Sequence, residues 1–558
     1  MTNAATPWWR DAVFYQVYPR SFADANGDGE GDLAGLVAHL DAIAALGVDA
    51  LWLTPFYPSP MVDGGYDVAD YTDVDPRYGD LGDVDRLLAA AHAAGLRVTI
   101  DLVPNHCSSE HAWFRAAVAA APGSPERARF LVRDGRGPDG AEPPTNWGSV
   151  FSGASWTRLP DGQWYYHLFD PTQPDLNWDD PAVPEEFERI LRFWLDCGVD
   201  GFRIDVSDAL VKDFDAGDTP DGSPVIPKGA DSPLHEHYRR FRRVMDDYDG
   251  DRMAVLETGA PAEDVALLLR PDEMHLAFDL ALTRARWSAP ALREAVEEGL
   301  AVSRLSGAPA TWVIENHDLP RAVTRYGNDV ELAGEYVPEV EEELPEPADA
   351  AAVLARGTRR ARAAAVLLCA LPGAVYLYQG QELGLPEVED LPDEVRQDPV
   401  FHRTGGAARG RDGCRVPLPW ADAEPPYGFG PAGSSPWLPQ PEVFADLTRE
   451  RQEHDPGSML ALYRELLAVR RATPVLRRGT LDWLPGDDDH VLTFRLTLDG
   501  EGAGEGEGAG GSAVVVVNTG TDPVALPPGE VVAASVPIDD LLAPGGALPG
   551  DAAAVVLR

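Results

Sequence analysis

Lysine is almost missing from this sequence: it occurs at Lys212 and Lys228, and the other basic residues are arginines. Cysteine is scarce too, four in 558 residues. Cys107, Cys197, Cys369 and Cys414 are too scattered for a disulfide scaffold or for the paired short spacing of a zinc site, so they read as reduced, mostly buried thiols. No stretch approaches the roughly 20 consecutive apolar residues that span a bilayer, and the first residues lack a basic stretch followed by an apolar one. A cytoplasmic protein with no membrane partner is expected. Positive charge is in short supply overall. The 46 basic residues against 92 acidic ones give a formal net charge of -46, which repels phosphate backbones and excludes nucleic acid as a partner. A monomer or homodimer is the expected assembly.

What is present is a repeated plan: an amphipathic helix, a glycine at its C-terminal end, then a short apolar strand. The helix from Leu33 to Leu46 meets Gly47 before ALWL, that from Asp83 to Ala94 meets Gly95 before RVTID, and another ends at Cys197-Gly198 before GFRID. With VFYQVY near Val13, MAVLE, HLAFD, TWVIE and AVYLY this makes eight strands. Continuous apolar runs suit parallel strands covered on both faces, and eight of them predict an α/β fold, a (β/α)8 TIM barrel. The gap of roughly 95 residues after the third strand is too long for a loop and predicts an inserted subdomain. Expected boundaries are 1–104 and 178–473 for the barrel, 105–177 for the insert and 474–558 for a C-terminal all-β domain, read as a β-sandwich. That last domain contains the low-complexity stretch DGEGAGEGEGAGGSA, read as a disordered hairpin tip.

Acids gather where the strands end, the rim that carries chemistry in such barrels. Asp101 ends the third strand, Asp205 the fourth and Glu257 the fifth, with His317 and Asp318 just beyond the seventh. One acid at a strand end is often only a helix cap, but a set with His106, Arg203 and His317 beside it is more than capping. Paired carboxylates are what glycosidic cleavage needs, one to protonate the leaving oxygen and one to attack the anomeric centre. Arg203, two residues before Asp205, points to the same side of the strand and favours its ionised form. Glu257 follows the apolar run MAVL, where partial desolvation favours the protonated form of a general acid.

These segments resemble, in order, the signature regions of the α-amylase superfamily, glycoside hydrolase family thirteen: DLVPNH (Asp101 to His106), GFRIDV (Gly201 to Val206), AVLE (Ala254 to Glu257) and ENHD (Glu315 to Asp318). QPDLN (Gln173 to Asn177) resembles the marker of its oligo-1,6-glucosidase-like branch, and LPEVEDLPDEVRQDP is most similar to actinobacterial α-glucosidases. The resemblance implies Asp205 as nucleophile, Glu257 as acid/base and Asp318 as the third carboxylate, without a catalytic cofactor. It implies that His106, Arg203, His317, Gln173 and Asp67 surround the glucosyl unit, with Tyr66 as a stacking platform. It further implies that Arg415, or in competition Arg411, closes the pocket with Asp67, while Phe151 and Phe169 narrow the entrance. A closed pocket means an exo-acting α-glucosidase on short oligosaccharides; the alternative is a sucrose or trehalose type transferase or isomerase.

In DANGDGEGD, Asp24, Asn26, Asp28 and Asp32 alternate at the spacing of a calcium loop, with Glu30 at a position that contributes its carbonyl in the family. A structural calcium, or magnesium, is expected there. Thr258-Gly259-Ala260 after the acid/base and Asp208, where relatives often carry histidine, depart from the family on the acceptor side. Val206 after the nucleophile is of a kind linked to α-1,6 preference.

Overall fold

The helices of the computed structural model owe their ends to glycines and to capping side chains. Gly47, Gly95 and Gly198, the three glycines placed at helix C-termini, have φ of 99°, 80° and 105°, left-handed values that side chains disfavour. The helix Leu81–Ala93 opens with a reciprocal capping box between Asp80 and Asp83. Ala182–Cys197 buries Val183, Phe187, Ile190, Leu191, Trp194 and Leu195 along one stripe. The structure describes residues 6–329, 350–421, 424–485, 489–498 and 511–558.

Eight parallel strands carry the molecule: β1 (Val13–Val17), β2 (Ala50–Leu53), β3 (Arg97–Leu102), β4 (Gly201–Ile204), β5 (Met253–Leu256), β6 (Leu276–Ala277), β7 (Thr311–Val313) and β8 (Ala374–Tyr378). They pair in chain order from β1 to β6, while β8 joins β1 to β7. The ring closes between β6 and β7 through a single parallel bridge, Asp279 to Trp312. Alternation along the strands sorts the side chains. Phe14, Trp52, Val255, Leu276, Val313 and Tyr376 fill the interior, with Phe14 stacked on Tyr376 at 4.3 Å, and Tyr15, Leu51 and Leu256 face the helices. The barrel is a packed core, so ligands are left to its C-terminal rim.

Between β3 and β4 the chain builds a small antiparallel sheet from Val132–Asp134, Trp156–Arg158 and Gln163–Tyr166. Its apolar cluster, Trp147, Phe151, Trp156, Tyr166 and Phe169, runs on into Val206 of the barrel rim. The insert and the nucleophile strand therefore share one packed body.

The C-terminal part departs from the expected sandwich. The described residues form one five-stranded antiparallel sheet, of which Thr480–Trp483 and Glu530–Ala534 went unread in the sequence. Ala513, Val515, Val517 and Val555 on one face join the barrel core, while Val514, Val516 and Ala554 on the other are covered by Leu541 and Leu548. That covering layer contains a single bridge, Val524 to Leu548, instead of a second sheet. Continuous apolar runs such as AVVVV and AAAVVL predict two covered faces without saying that one cover is the barrel itself. The glycine-rich stretch at 499–510 lies outside the described residues. Among the described residues no helix is long and apolar enough to cross a membrane, and all four cysteines are free thiols.

Candidate active site

The strand ends bring three carboxyls around one guanidinium. Arg203 Nη1 donates to Asp205 at 2.6 Å and to Asp101 at 2.9 Å, and its Nη2 meets Glu257 at 2.6 Å. Arg203 is 2% exposed, so this is a dry ion cluster with more negative than positive charge. Burial raises the Asp205 carboxyl, Arg203 opposes the rise, and the nearby Glu257 and Asp101 add to it. Asp101 is pushed up to about 7, again by burial first, while Arg203 and the Tyr66 hydroxyl pull it down. Burial and mutual repulsion thus raise the Asp205 and Asp101 carboxyls together, and the shared Arg203 limits the rise.

The nucleophile and acid/base strands are also stitched through backbone. The Val206 N–H donates to Glu257 Oε2 at 3.1 Å, and Ser207 donates to the Glu257 carbonyl from both its N–H, at 2.9 Å, and its hydroxyl, at 2.6 Å. Val206 has φ of 46°, a left-handed value unusual for a β-branched residue. That turn points its N–H at the neighbouring carboxyl. Glu257 thus departs from the solely apolar setting that MAVL suggests: its two oxygens rest on Arg203 and on this N–H.

Asp318 sits opposite, accepting from Arg415 Nη2 at 2.9 Å and Arg411 Nη1 at 3.1 Å, with His317 Nε2 at 3.2 Å. Burial alone raises its carboxyl, but His317, Arg411 and Arg415 outweigh burial and hold it below the ordinary carboxylate range. Burial pushes the His317 imidazole well below its ordinary range, against the pull of Asp318. Tyr66 donates to Asp101 at 2.9 Å and reaches His317 Nε2 at 2.7 Å, its ring lying parallel to the imidazole at 5.3 Å.

A cavity enclosing about 590 Å3, part of it open to solvent, lies between these groups. Tyr66, His106, Phe151, Phe169, Asp205, Glu257 and Asp318 line it, as the sequence reading expects. Arg203, His317, Gln173 and Arg415 stand behind the wall instead. Gln173 Nε2 sits 3.1 Å from His106 Nε2 and donates to Asp63 at 2.9 Å. Burial holds His106 down to about 4, a neutral imidazole.

Asp67 is the correction. It is fully buried away from the cavity, and its carboxyl accepts from the Ser59 hydroxyl and the Val62 and Asp63 N–H groups at 2.8–3.1 Å. Burial pushes it up to about 6. It folds the loop around Tyr66 and is not among the residues that line the cavity. Asp63, paired with Arg411 Nη2 at 2.6 Å, lines the cavity instead, so Arg411 and not Arg415 stands in the wall. Leu280, Asn316 and Leu319 also line the cavity and went unread. The signal for Asp63 was present, four residues before Asp67 in the same motif and ahead of Gly64 and Gly65, both at positive φ.

The acidic turn at 24–32 folds on its own backbone. Asp24 accepts from the Gly27 and Gly29 N–H groups, Asp32 from Ala25, Asn26 and Gly35, and Asn26 and Asp28 from residues two further on. Glu30 is taken by Arg20 at 2.6 Å. Among the described residues no three His, Cys, Asp or Glu side chains converge as a metal site. The donor set is still all oxygen, and burial together with the nearby Asp24 raises the Asp32 carboxyl, which is the chemistry of a hard cation site.

With this geometry in place, comparison with known proteins identifies the class. The alpha-amylase catalytic domain family matches residues 16–479, and the chain belongs to that family of glycoside hydrolases. The probable alpha-glucosidase of Rhizobium meliloti (strain 1021) is 38% identical over 512 residues, covering 86% of this chain and 85% of that protein. The oligo-1,6-glucosidase of Parageobacillus thermoglucosidasius is 33% identical over 536 residues, with 88% and 89% covered. The crystal structure of the alpha-glucosyl transfer enzyme XgtA superposes with a TM-score of 0.81 at 35% identity, covering 99% of each chain.

Proposed function

We propose that this protein is a retaining, exo-acting α-glucosidase that releases α-glucose from the non-reducing ends of short α-1,4- or α-1,6-linked glucosides. The observation that carries the reading is a pocket with Asp205, Glu257, Asp318 and the Asp63–Arg411 pair on its walls. We take that pair to close the pocket behind one terminal glucosyl unit. One guanidinium shared by Asp205 and Glu257 favours the short carboxyl separation of a retaining pair, about 5–5.5 Å.

Asp205 attacks the anomeric carbon while Glu257 gives its proton to the glycosidic oxygen, forming a glucosyl ester on Asp205 and freeing the aglycone. Glu257, now ionised, takes a proton from water, and that water's attack on the same carbon returns α-glucose and the Asp205 carboxylate. Asp318, anionic between two arginines, accepts hydrogen bonds from ring hydroxyls and favours the distorted ring of the transition state. His106, neutral, contacts the sugar without adding charge. Asp205→Asn should lower kcat/KM by on the order of 10^4 with the fold intact by circular dichroism; unchanged turnover would refute the assignment.

A second reading, transfer of the glucosyl unit to another sugar, is favoured by the similarity to an alpha-glucosyl transfer enzyme and uses the same carboxylates. We also place a structural calcium or magnesium at the 24–32 turn. The reading further takes the protein as cytoplasmic, in keeping with its free thiols, and as a monomer or homodimer with no nucleic-acid partner.

A further inference from the structure

Phe151 reaches the pocket from a turn of the insert that the Ser149 N–H closes on the Gly153 carbonyl at 2.9 Å and the Ser152 N–H on the Ser149 carbonyl at 3.0 Å. Ser152 and Gly153 both have left-handed backbone, at φ of 76° and 79°. A non-glycine residue keeps that conformation only where its surroundings hold it. Beyond the turn's own bonds, the side chain that ties it to the rest of the molecule at these carbonyls is Arg403. Its Nε lies 3.0 Å from the carbonyls of both Phe151 and Ser152, its Nη2 donates again to Ser152, and its Nη1 stands 3.5 Å from Asp170. A side chain on Gly153 would meet the same guanidinium at 3.2 Å.

Arg403 ends the short helix Pro399–Arg403 on the long connection after β8, a segment remote in sequence from the insert. Asp398 caps that helix through the Val400 N–H at 2.8 Å, and its other oxygen accepts from Arg411 Nε at 2.5 Å. Val400 enters the apolar cluster of Phe151, Phe169 and Val206, and the Arg411 guanidinium lies 5.1 Å from the centre of the Phe151 ring. The same short helix therefore fixes the Arg411 wall through Asp398 and the Phe151 wall through Arg403.

We infer that Arg403 is a positioning residue for substrate selection: it latches the insert to the post-β8 connection and holds Phe151 where the pocket is narrow enough to fit a single glucosyl unit. The inference rests on the exo-glucosidase reading for its meaning, and on the Arg403 contacts alone for its geometry. Arg403 touches neither the reacting carboxyls nor the cavity, so its loss should loosen binding and spare chemistry.

The test compares wild type, Arg403→Ala, Arg403→Lys, Phe151→Ala and Arg403→Ala/Phe151→Ala on maltose and isomaltose. For Arg403→Ala, KM and the inhibition constant for glucose should rise about tenfold with kcat within about threefold, a pattern of lost binding and not of lost chemistry. Arg403→Lys, with one donor group left, should fall between. The double variant should bind no worse than Phe151→Ala alone, because both changes remove the same wall. Unchanged KM and glucose inhibition in Arg403→Ala, or losses that add in the double variant, would overturn the latch. Should Arg403→Ala fail to fold, Arg403→Lys carries the same comparison. If wild type does not release single glucose units, the exo reading fails, while the KM comparison on whichever glucoside it turns over still decides the latch.

Discussion

Arg203 is the residue on which the chemistry turns, because one buried guanidinium answers three carboxyls. A carboxyl in such a site is set by what else the cation must serve, and with one guanidinium among three acids Asp101 and Asp205 are both raised. The same reasoning separates the two aspartates of MVDGGYD. Asp63 shares a charge-assisted pair with Arg411 in the pocket wall, whereas Asp67 spends its oxygens on one hydroxyl and two N–H groups inside its own loop. Asp63→Ala should therefore lower kcat/KM for maltose by about 10–100-fold, the equivalent of about 1.4–2.7 kcal/mol, with little change in melting temperature. Asp67→Ala should instead cost about 1–3 kcal/mol of stability through unsatisfied buried donors. Kinetics and denaturant melts of both variants decide it, and the reverse pattern would restore Asp67 to the pocket. The catalytic carboxyls were legible in the sequence because a strand end fixes where they point. The Asp63 and Asp67 roles were not, since a two-glycine turn leaves the loop's direction open and only packing decides which acid turns inward.

At the scale of elements, the helix–glycine–strand plan was legible because each signal is local: an apolar stripe, a left-handed cap, a buried run. The insert was readable only as a gap, since its sheet is made of strands of three or four residues held by aromatic packing with the barrel rim. β6, legible as the run HLAFD, is only two residues long and stands in the ring through its neighbours and one bridge. The acidic turn at 24–32 is local in the same sense as the caps. Asp24, Asp28 and Asp32 recur on one turn, and the only arginine contacts the turn makes among the described residues go to Glu30. A bound cation would offset their repulsion. Millimolar calcium should raise the melting temperature of chelator-treated protein by on the order of 2–4 °C, and Asp24→Asn should abolish the rise. A melting temperature indifferent to calcium and to chelator would leave the turn as a self-satisfied cap of the helix at Leu33.

For the whole molecule, barrel, insert and C-terminal sheet are bound together by shared core, so the site is assembled from segments as far apart as Asp63 and Arg411. Composition could exclude partners at this scale and could not name a substrate, because the net charge of -46 is spread over a surface while specificity resides in a few walls of one pocket. The central claim is that this pocket takes one terminal glucosyl unit and turns it over through an enzyme-bound ester with retention. The most direct measurement is a proton NMR time course of glucose release from aryl α-glucosides and α-maltosides, whose aglycone carries no free anomeric centre, recording the anomer before mutarotation. The account predicts α-glucose first, one unit at a time from the non-reducing end. β-Glucose appearing first would contradict it, because a single displacement by water would then have replaced the attack by Asp205.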